Sequence, residues 1–435
     1  MRKLISIAAM AALSVTASFT ATVSAEDIAI TGGKAFTNGG SGEVENATIL
    51  VSGGKITSVS SGGAVPSGYR VIDASGKWVT AGFMAADTSL GLTEVSLSGG
   101  INDASAPAEK GMIGISVIPA LNPANIFIPN TRIEGVTRAM TRMTNSGDMW
   151  LGLGAVLKLS DSDMVAREKA FLAIDLDEGS AGEVGGSRAV LWSKLNEKFQ
   201  AAKDKIDAAA KKKDSDSSDS DKKDSDKKDD KRPSAADATL KAVLSGDMPV
   251  YALVNRKADI LQLIAFQKRF GLRVILGGAA EAWMVADMLA ASGISVVLDP
   301  TANLPGNFDI LGQTSAAAGR LHAAGVKVAF IPPGTHNSRL VVQNAGIAVS
   351  MGMPWAAAMD ALTVNPAEMF GLSDSYGKLA AGMDADIVVW DGDPLEVMSS
   401  PDAVLIAGED IALVSRQTKL RDRYKDLDRS PAFDR

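Results

Sequence analysis

Short apolar runs bounded by glycine and serine open the chain, and a different rhythm takes over near residue 80. Ile28–Ile30, Ala47–Val51, Lys55–Val59, Tyr69–Asp73 and Trp78–Thr80 read as strands, separated by turns such as Ser52-Gly53-Gly54. Ala385–Trp390 and Ala403–Ala407 repeat this pattern near the other end. Strands from both ends are expected to join one small β-sandwich, formed by residues 26–80 plus 376–420. Between them, strands and helices alternate. Ala252–Val254 precedes a helical stretch Ala258–Phe270, and Arg273–Leu276 precedes Ala280–Ala291. Ser295–Leu298 follows, then Lys327–Phe330 ahead of Val341–Met351. Apolar strands spaced by helices of about 10–15 residues predict a parallel sheet with crossover helices. The fold class is therefore α/β. So many repeats favour a (β/α)8 TIM-type barrel over residues 81–375.

Two segments fit neither unit. Met1-Arg2-Lys3, the apolar run Leu4–Val15 and the small-x-small triplet Val23-Ser24-Ala25 form a signal-peptide pattern over residues 1–25, with cleavage expected after Ala25. A membrane span would need about 20 apolar residues. The mature chain is thus expected to be periplasmic or secreted. Residues 211–235 are dominated by Lys, Asp and Ser, too polar to offset the entropy of ordering, and read as a disordered insertion. Leu191–Ala210 before it has the pattern of an amphipathic helix. Residues 421–435 read as a C-terminal tail.

Composition narrows the chemistry. The 435-residue chain has no cysteine, which excludes thiol catalysis and disulfides. A net charge of −7 gives no reason to expect nucleic acid as a partner. No Gly-x-Ser-x-Gly elbow is present, Gly152-x-Gly154 lacks the third glycine of a dinucleotide fingerprint, and Ser52–Ile56 lacks a P-loop hydroxyl.

A longer pattern lies in the last third. Thr363-Val364-Asn365-Pro366-Ala367 is followed by Gly371-Leu372, Gly377-Lys378-Leu379 and Ala381-Gly382-Met383-Asp384-Ala385-Asp386-Ile387-Val388-Val389. With Val71-Ile72-Asp73-Ala74 and Val79-Thr80-Ala81-Gly82-Phe83 near the start, it closely resembles the amidohydrolase superfamily of imidazolonepropionase-like and dihydroorotase-like hydrolases. Leu90–Val95 and Asn122-Pro123-Ala124 are similar to a periplasmic subgroup. The resemblance implies a β-sandwich framing a barrel in which one or two Zn²⁺ activate water for attack on an amide or ester. It also implies ligands at strand ends: a His-x-His pair, a bridging Lys or Glu, two further histidines and an aspartate.

Those ligands are missing. Asp87 and Ser89 stand at the His-x-His positions. Val254-Asn255-Arg256 and Gly278–Glu281 occupy the regions of the single histidines, and Ile331–Gly334 that of the final aspartate. The chain contains two histidines, His322 and His336. His322 closes a helix on the expected bottom face of the barrel. No metal ligand is assigned and no cofactor expected. Asp87, Glu94 and Glu281 are the carboxylates that could serve a harder ion, and Asp87 and Glu281 are the candidate catalytic residues. Arg256, Glu281, Asn303, His336, Asn337 and Arg339 are the candidate ligand-binding residues, with Arg132 and Glu134 also expected just after strands. Arginines there suit a small polar or acidic ligand, although Arg256 and Asp259 also suit a strand-end ion pair. Two readings follow: a non-catalytic protein that binds such a ligand or partners an active amidohydrolase, or a hydrolase of carbon–nitrogen bonds with an atypical metal or carboxylate site. Barrels of this kind commonly dimerise, so a homodimer is a further expectation.

Overall fold

The structure, a computed structural model, describes residues 26–38, 42–95, 99–216 and 233–425. The expected leader lies outside these residues.

Five strands at the start, β1 (Ile28–Phe36), β2 (Glu43–Ser52), β3 (Lys55–Ser61), β4 (Arg70–Asp73) and β5 (Trp78–Ala81), belong to one eight-stranded sheet. β1 pairs with β4 along its first half and with β5 along its second, so the sheet branches and closes over its own core. Ile30, Ile49, Val51, Ile56, Val79, Ile387, Val389 and Leu405 fill that core, and the two termini together form the expected β-sandwich domain.

A second eight-stranded sheet curls into the barrel. Its order is β6 (Phe83–Thr88), β8 (Val136–Thr141), β10 (Trp150–Lys158), β11 (Val165–Asp175), β12 (Val250–Val254), β13 (Val274–Gly278), β14 (Ser295–Leu298) and β15 (Val328–Phe330). β15 comes back beside β6, so the ring nearly closes. The two-residue strands β7 (Ser105–Ala106) and β9 (Asn145–Ser146) pair outside it. The barrel departs from a strict βα repeat at one point. β10 runs antiparallel to both β8 and β11 because short loops, without crossover helices, join the three.

The helices are α1 (Phe127–Arg132), α2 (Glu178–Glu183), α3 (Arg188–Asp216), α4 (Ala235–Leu244), α5 (Lys257–Phe270), α6 (Ala286–Ser292), α7 (Ala317–Ala323), α8 (Val341–Ser350), α9 (Trp355–Leu362), α10 (Val364–Met369) and, after the last sandwich strands, α11 (Arg416–Tyr424). α3 runs into the Lys/Asp/Ser segment, whose residues 217–232 lie outside the described ones. α11 takes up the beginning of the expected tail. Among the described residues, no helix is long and apolar enough to cross a membrane.

β16 (Ile387–Trp390), β17 (Pro401–Ile406) and β18 (Glu409–Asp410) complete the sandwich sheet, β16 pairing with β5. The two domains are locked across the barrel floor. Arg138 of β8 donates to Asp386 through Nε (2.6 Å) and Nη2 (3.1 Å), and to Asp384 through Nη2 (3.0 Å). Trp390 stacks on Phe83 and gives its indole N–H to Thr80. Inside the ring, Met84, Ala86, Met140, Phe171, Tyr251, Ile275, Val297 and Phe370 pack as a solid core. Reactive groups are therefore confined to the two ends of the barrel.

Candidate functional site

The parallel strands of such a barrel present functional side chains at their C-terminal ends, where the βα loops begin. Along β6, Met84 and Ala86 point into the lumen and Phe83 and Ala85 into the outer helical layer. Strict alternation would turn Asp87 outward. The register slips between Ala85 and Thr88, and Asp87 takes φ = +86°, a conformation unusual for a residue with a side chain. The slip turns the Asp87 carboxylate into the barrel. Backbone strain of this kind persists where the surroundings over-determine it.

Its partners explain why it is held. Arg142, just past β8, donates Nε–H to one carboxylate oxygen (2.6 Å) and Nη2–H to the other (2.9 Å). Tyr251 of β12 donates its hydroxyl to the second oxygen at 2.8 Å. The Arg142 Nη1 donates to the Met143 carbonyl at 2.9 Å. The Asp87 and Arg142 side chains are 8% and 9% exposed, so this is a buried, two-pronged ion pair. Burial works against the charge of Arg142, but the charge of Asp87 and its hydrogen bonds outweigh it and hold the guanidinium more firmly protonated than usual. Burial, then the Asp87 charge, pushes the Tyr251 hydroxyl well up, so it stays a donor.

Asp175, the last residue of β11, also faces this group. Burial, and after it the neighbouring Asp177 charge, lifts its carboxyl to about 7. One of its oxygens accepts the Asp177 N–H. Asp177 caps the first turn of α2 by accepting from Gly179 and Ser180.

The other expected residues disperse. Ser89 bonds to Thr335 and Thr93 through its hydroxyl and does not reach the lumen. Glu281 accepts the Lys257 N–H at 2.7 Å and so caps α5. Arg256 leans on Asp259 at 3.7 Å, one turn along the same helix, and that buried aspartate also receives Arg188. Asn303 is exposed on the loop after β14. His336, Asn337 and Arg339 form a rim chain, His336 beside Asn337 (3.0 Å) and Asn337 accepting from Arg339 (3.2 Å), with Phe127 next to the imidazole. Glu94 holds the Asn122 side chain and the Ile126 N–H. His322 is exposed on α7.

Arg132 and Glu134 do not follow a strand. Arg132 ends α1, ahead of β8, and is paired with Asp161; Glu134 lies in the turn into β8. Their apolar neighbours belong to that short helix and its turn.

The site thus gathers Asp87, Arg142, Tyr251 and Asp175, of which only Asp87 stands out in the sequence. A signal for Arg142 existed. In Val136-Thr137-Arg138-Ala139-Met140-Thr141-Arg142, period-two alternation places both arginines on the face that carries Met140. A cavity of about 320 Å³ between α3 and α4, lined by Ala202, Ile206 and Pro233 among others, is separate from all four residues.

The Zn²⁺ that the resemblance implies does not fit these residues. Among the described residues, no group of three or more His, Cys, Asp or Glu side chains converges as metal ligands would. Both oxygens of Asp87 are committed to Arg142. Zinc needs three or four donors, mainly imidazole or thiolate.

Comparison with known proteins places the fold. The family model described as the amidohydrolase family matches residues 273–419. A 72-residue stretch is 44% identical to amidohydrolase tasK of Hapsidospora irregularis; it is 17% of this chain, and the chain spans 7% of that protein's length. A crystal structure of an amidohydrolase from Thermotoga maritima MSB8 superposes with TM-score 0.77 at 23% identity, covering 88% of this chain and 99% of that one. A putative prolidase from Bifidobacterium longum (TM-score 0.53, 14% identity, 92% and 100% covered) shares the fold. So does a prolidase complexed with N-methylphosphonate-L-proline (TM-score 0.53, 14% identity, 88% and 99% covered).

Proposed function

We propose that the chain is an exported, non-hydrolytic member of the amidohydrolase superfamily that binds a small polar or acidic ligand at the barrel mouth; the family-model match over residues 273–419 and the shared fold support the membership. The observation that carries this reading is the Arg142–Asp87 ion pair. At the strand end where the family's chemistry needs a metal ligand, the carboxylate is neutralised by a guanidinium and a phenol. Both oxygens of that carboxylate already accept charge-assisted hydrogen bonds, and the adjoining guanidinium opposes a metal ion beside it. The polar rim formed by His336, Asn337 and Arg339 supports the ligand class, because a partly exposed guanidinium recognises carboxylates. Export rests on the leader pattern ending at Ala25. Periplasmic chain beginning at Glu26 would support it, and retention of Met1 would count against it.

The functional test is an assay of purified protein on N-acyl amino acids and on dipeptides, X-Pro included because two structural relatives are described as prolidases. Zn²⁺ or Mn²⁺ is added in parallel. No turnover above the metal-only background is expected. Turnover that disappears in Asp87→Asn would sink the proposal.

One observation favours a second reading, a hydrolase working through carboxylates. Asp175, lifted to about 7, is poised to exchange a proton near neutrality. That reading requires activity lost in Asp175→Asn, with a pH profile that bends near 7.

A further inference from the structure

Arg142 is held in the way a protein holds an ion. Its guanidinium meets both oxygens of Asp87 and the carbonyl of Met143. It also lies 5.6 Å from the centroid of the Tyr251 ring, within the range of a cation–π contact. The Asp175 charge acts on it from β11. These groups come from β6, β11, β12 and the end of β8, and they converge on one positive charge. The donors are oxygens and a π-face, a set that suits hard or planar cations and not zinc.

The approach to that charge is built for it. The Asp87 backbone is strained to bring the carboxylate inward, and Gly277 leaves room for the Tyr251 hydroxyl. Removing one member of a buried ion pair leaves the other charge uncompensated, a larger penalty than the loss of the pair itself. The mouth therefore depends on a cation being present.

We infer that Arg142 is the resident cation of this barrel, a tethered positive charge filling a site that Asp87, the Met143 carbonyl and the Tyr251 ring would otherwise offer to a free guanidinium-like ion. The inference rests on the reading that the mouth works without a dissociable metal, but its test reports occupancy and not hydrolysis.

The test is thermal unfolding of Arg142→Ala with and without millimolar guanidinium chloride, alongside equal NaCl and urea. Arg142→Ala should unfold about 3–8 °C below the wild type. Guanidinium should restore at least half of that loss in a saturable manner, with no effect on the wild type and none from NaCl or urea. The double variant Asp87→Asn/Arg142→Ala, which removes both charges, should be more stable than Arg142→Ala and indifferent to guanidinium. If Arg142→Ala does not fold alone, recovery of folded protein on refolding with the ion, or folding of the double variant, supports the inference. Absence of any saturable response, with the double variant no better than the single one, overturns it and makes Arg142 a packing element. Turnover by the wild-type chain would sink the functional reading above, whereas failure of rescue sinks this inference alone.

Discussion

Arg138 and Asp386, 248 residues apart in sequence, meet through two hydrogen bonds of 2.6 and 3.1 Å with both side chains almost fully buried. Their contact joins the barrel floor to the sandwich domain. It also gives a physical reason for the Asp384-Ala385-Asp386 motif, since Asp384 adds a third bond to the same guanidinium and Asp386 accepts the Ala407 N–H. Asp386→Ala should destabilise the fold by about 3–5 kcal/mol, because it leaves the buried Arg138 with only its single bond to Asp384. The urea midpoint reads this. A double variant, Arg138→Met/Asp386→Leu, should recover much of the loss.

Gly277 lies under Tyr251. A Cβ built there would sit 2.5 Å from the Tyr251 hydroxyl oxygen. Gly277→Ala should therefore push the phenol off Asp87 and lower stability by about 1–3 kcal/mol. In a Tyr251→Phe background the same substitution should be milder. Chemical denaturation of the four proteins gives the coupling directly; additive losses would mean that the hydroxyl and the glycine do not interact.

Asp175 sets a pH dependence of stability. Its carboxyl is lifted to about 7 by burial and by Asp177. Between the ordinary carboxylate range and that value, the folded chain holds a proton that the unfolded chain has released. Stability contributed by this group is therefore present at low pH and lost as pH rises towards 7. Asp175→Asn should remove that slope. Its gain over the wild type should be small at pH 5 and larger at pH 8, on the order of 1–3 kcal/mol. Urea midpoints at the two pH values check the sign, and a gain that shrinks with rising pH would contradict it.

Glu281 is assigned here to the N-terminus of α5. Glu281→Gln should cost about 0.3–1 kcal/mol, the scale of a carboxylate at a helix start. It should leave binding at the mouth unchanged, which separates a capping role from a catalytic one.

Much of the fold could be read from the sequence, because period-two strands and strand–helix alternation record burial directly. The family motifs were legible for a related reason. Thr363 takes the Asn38 amide and bonds back to Met359, and Asn365 donates to the Val328 carbonyl at the foot of β15. Asp384 and Asp386 hold Arg138. In this chain Thr363, Asp384 and Asp386 tie the barrel to the sandwich, and Asn365 fixes the last helix to the barrel wall. The site was less legible. Asp87 could be placed at a strand end, but its inward turn depends on a register slip that side-chain type does not reveal. Arg142 and Tyr251 meet it only once β6, β8 and β12 are neighbours or near neighbours across the lumen. The reversal of β10 was hidden because its apolar run, Trp150–Leu157, reads the same in either direction.

The most direct test of the account is the metal content of the purified chain, measured by mass spectrometry after equilibration with Zn²⁺ and removal of the excess. An Arg142-filled mouth predicts far less than one equivalent per chain, unchanged by Asp87→Asn. One or two equivalents retained by the wild type and lost in Asp87→Asn would contradict it.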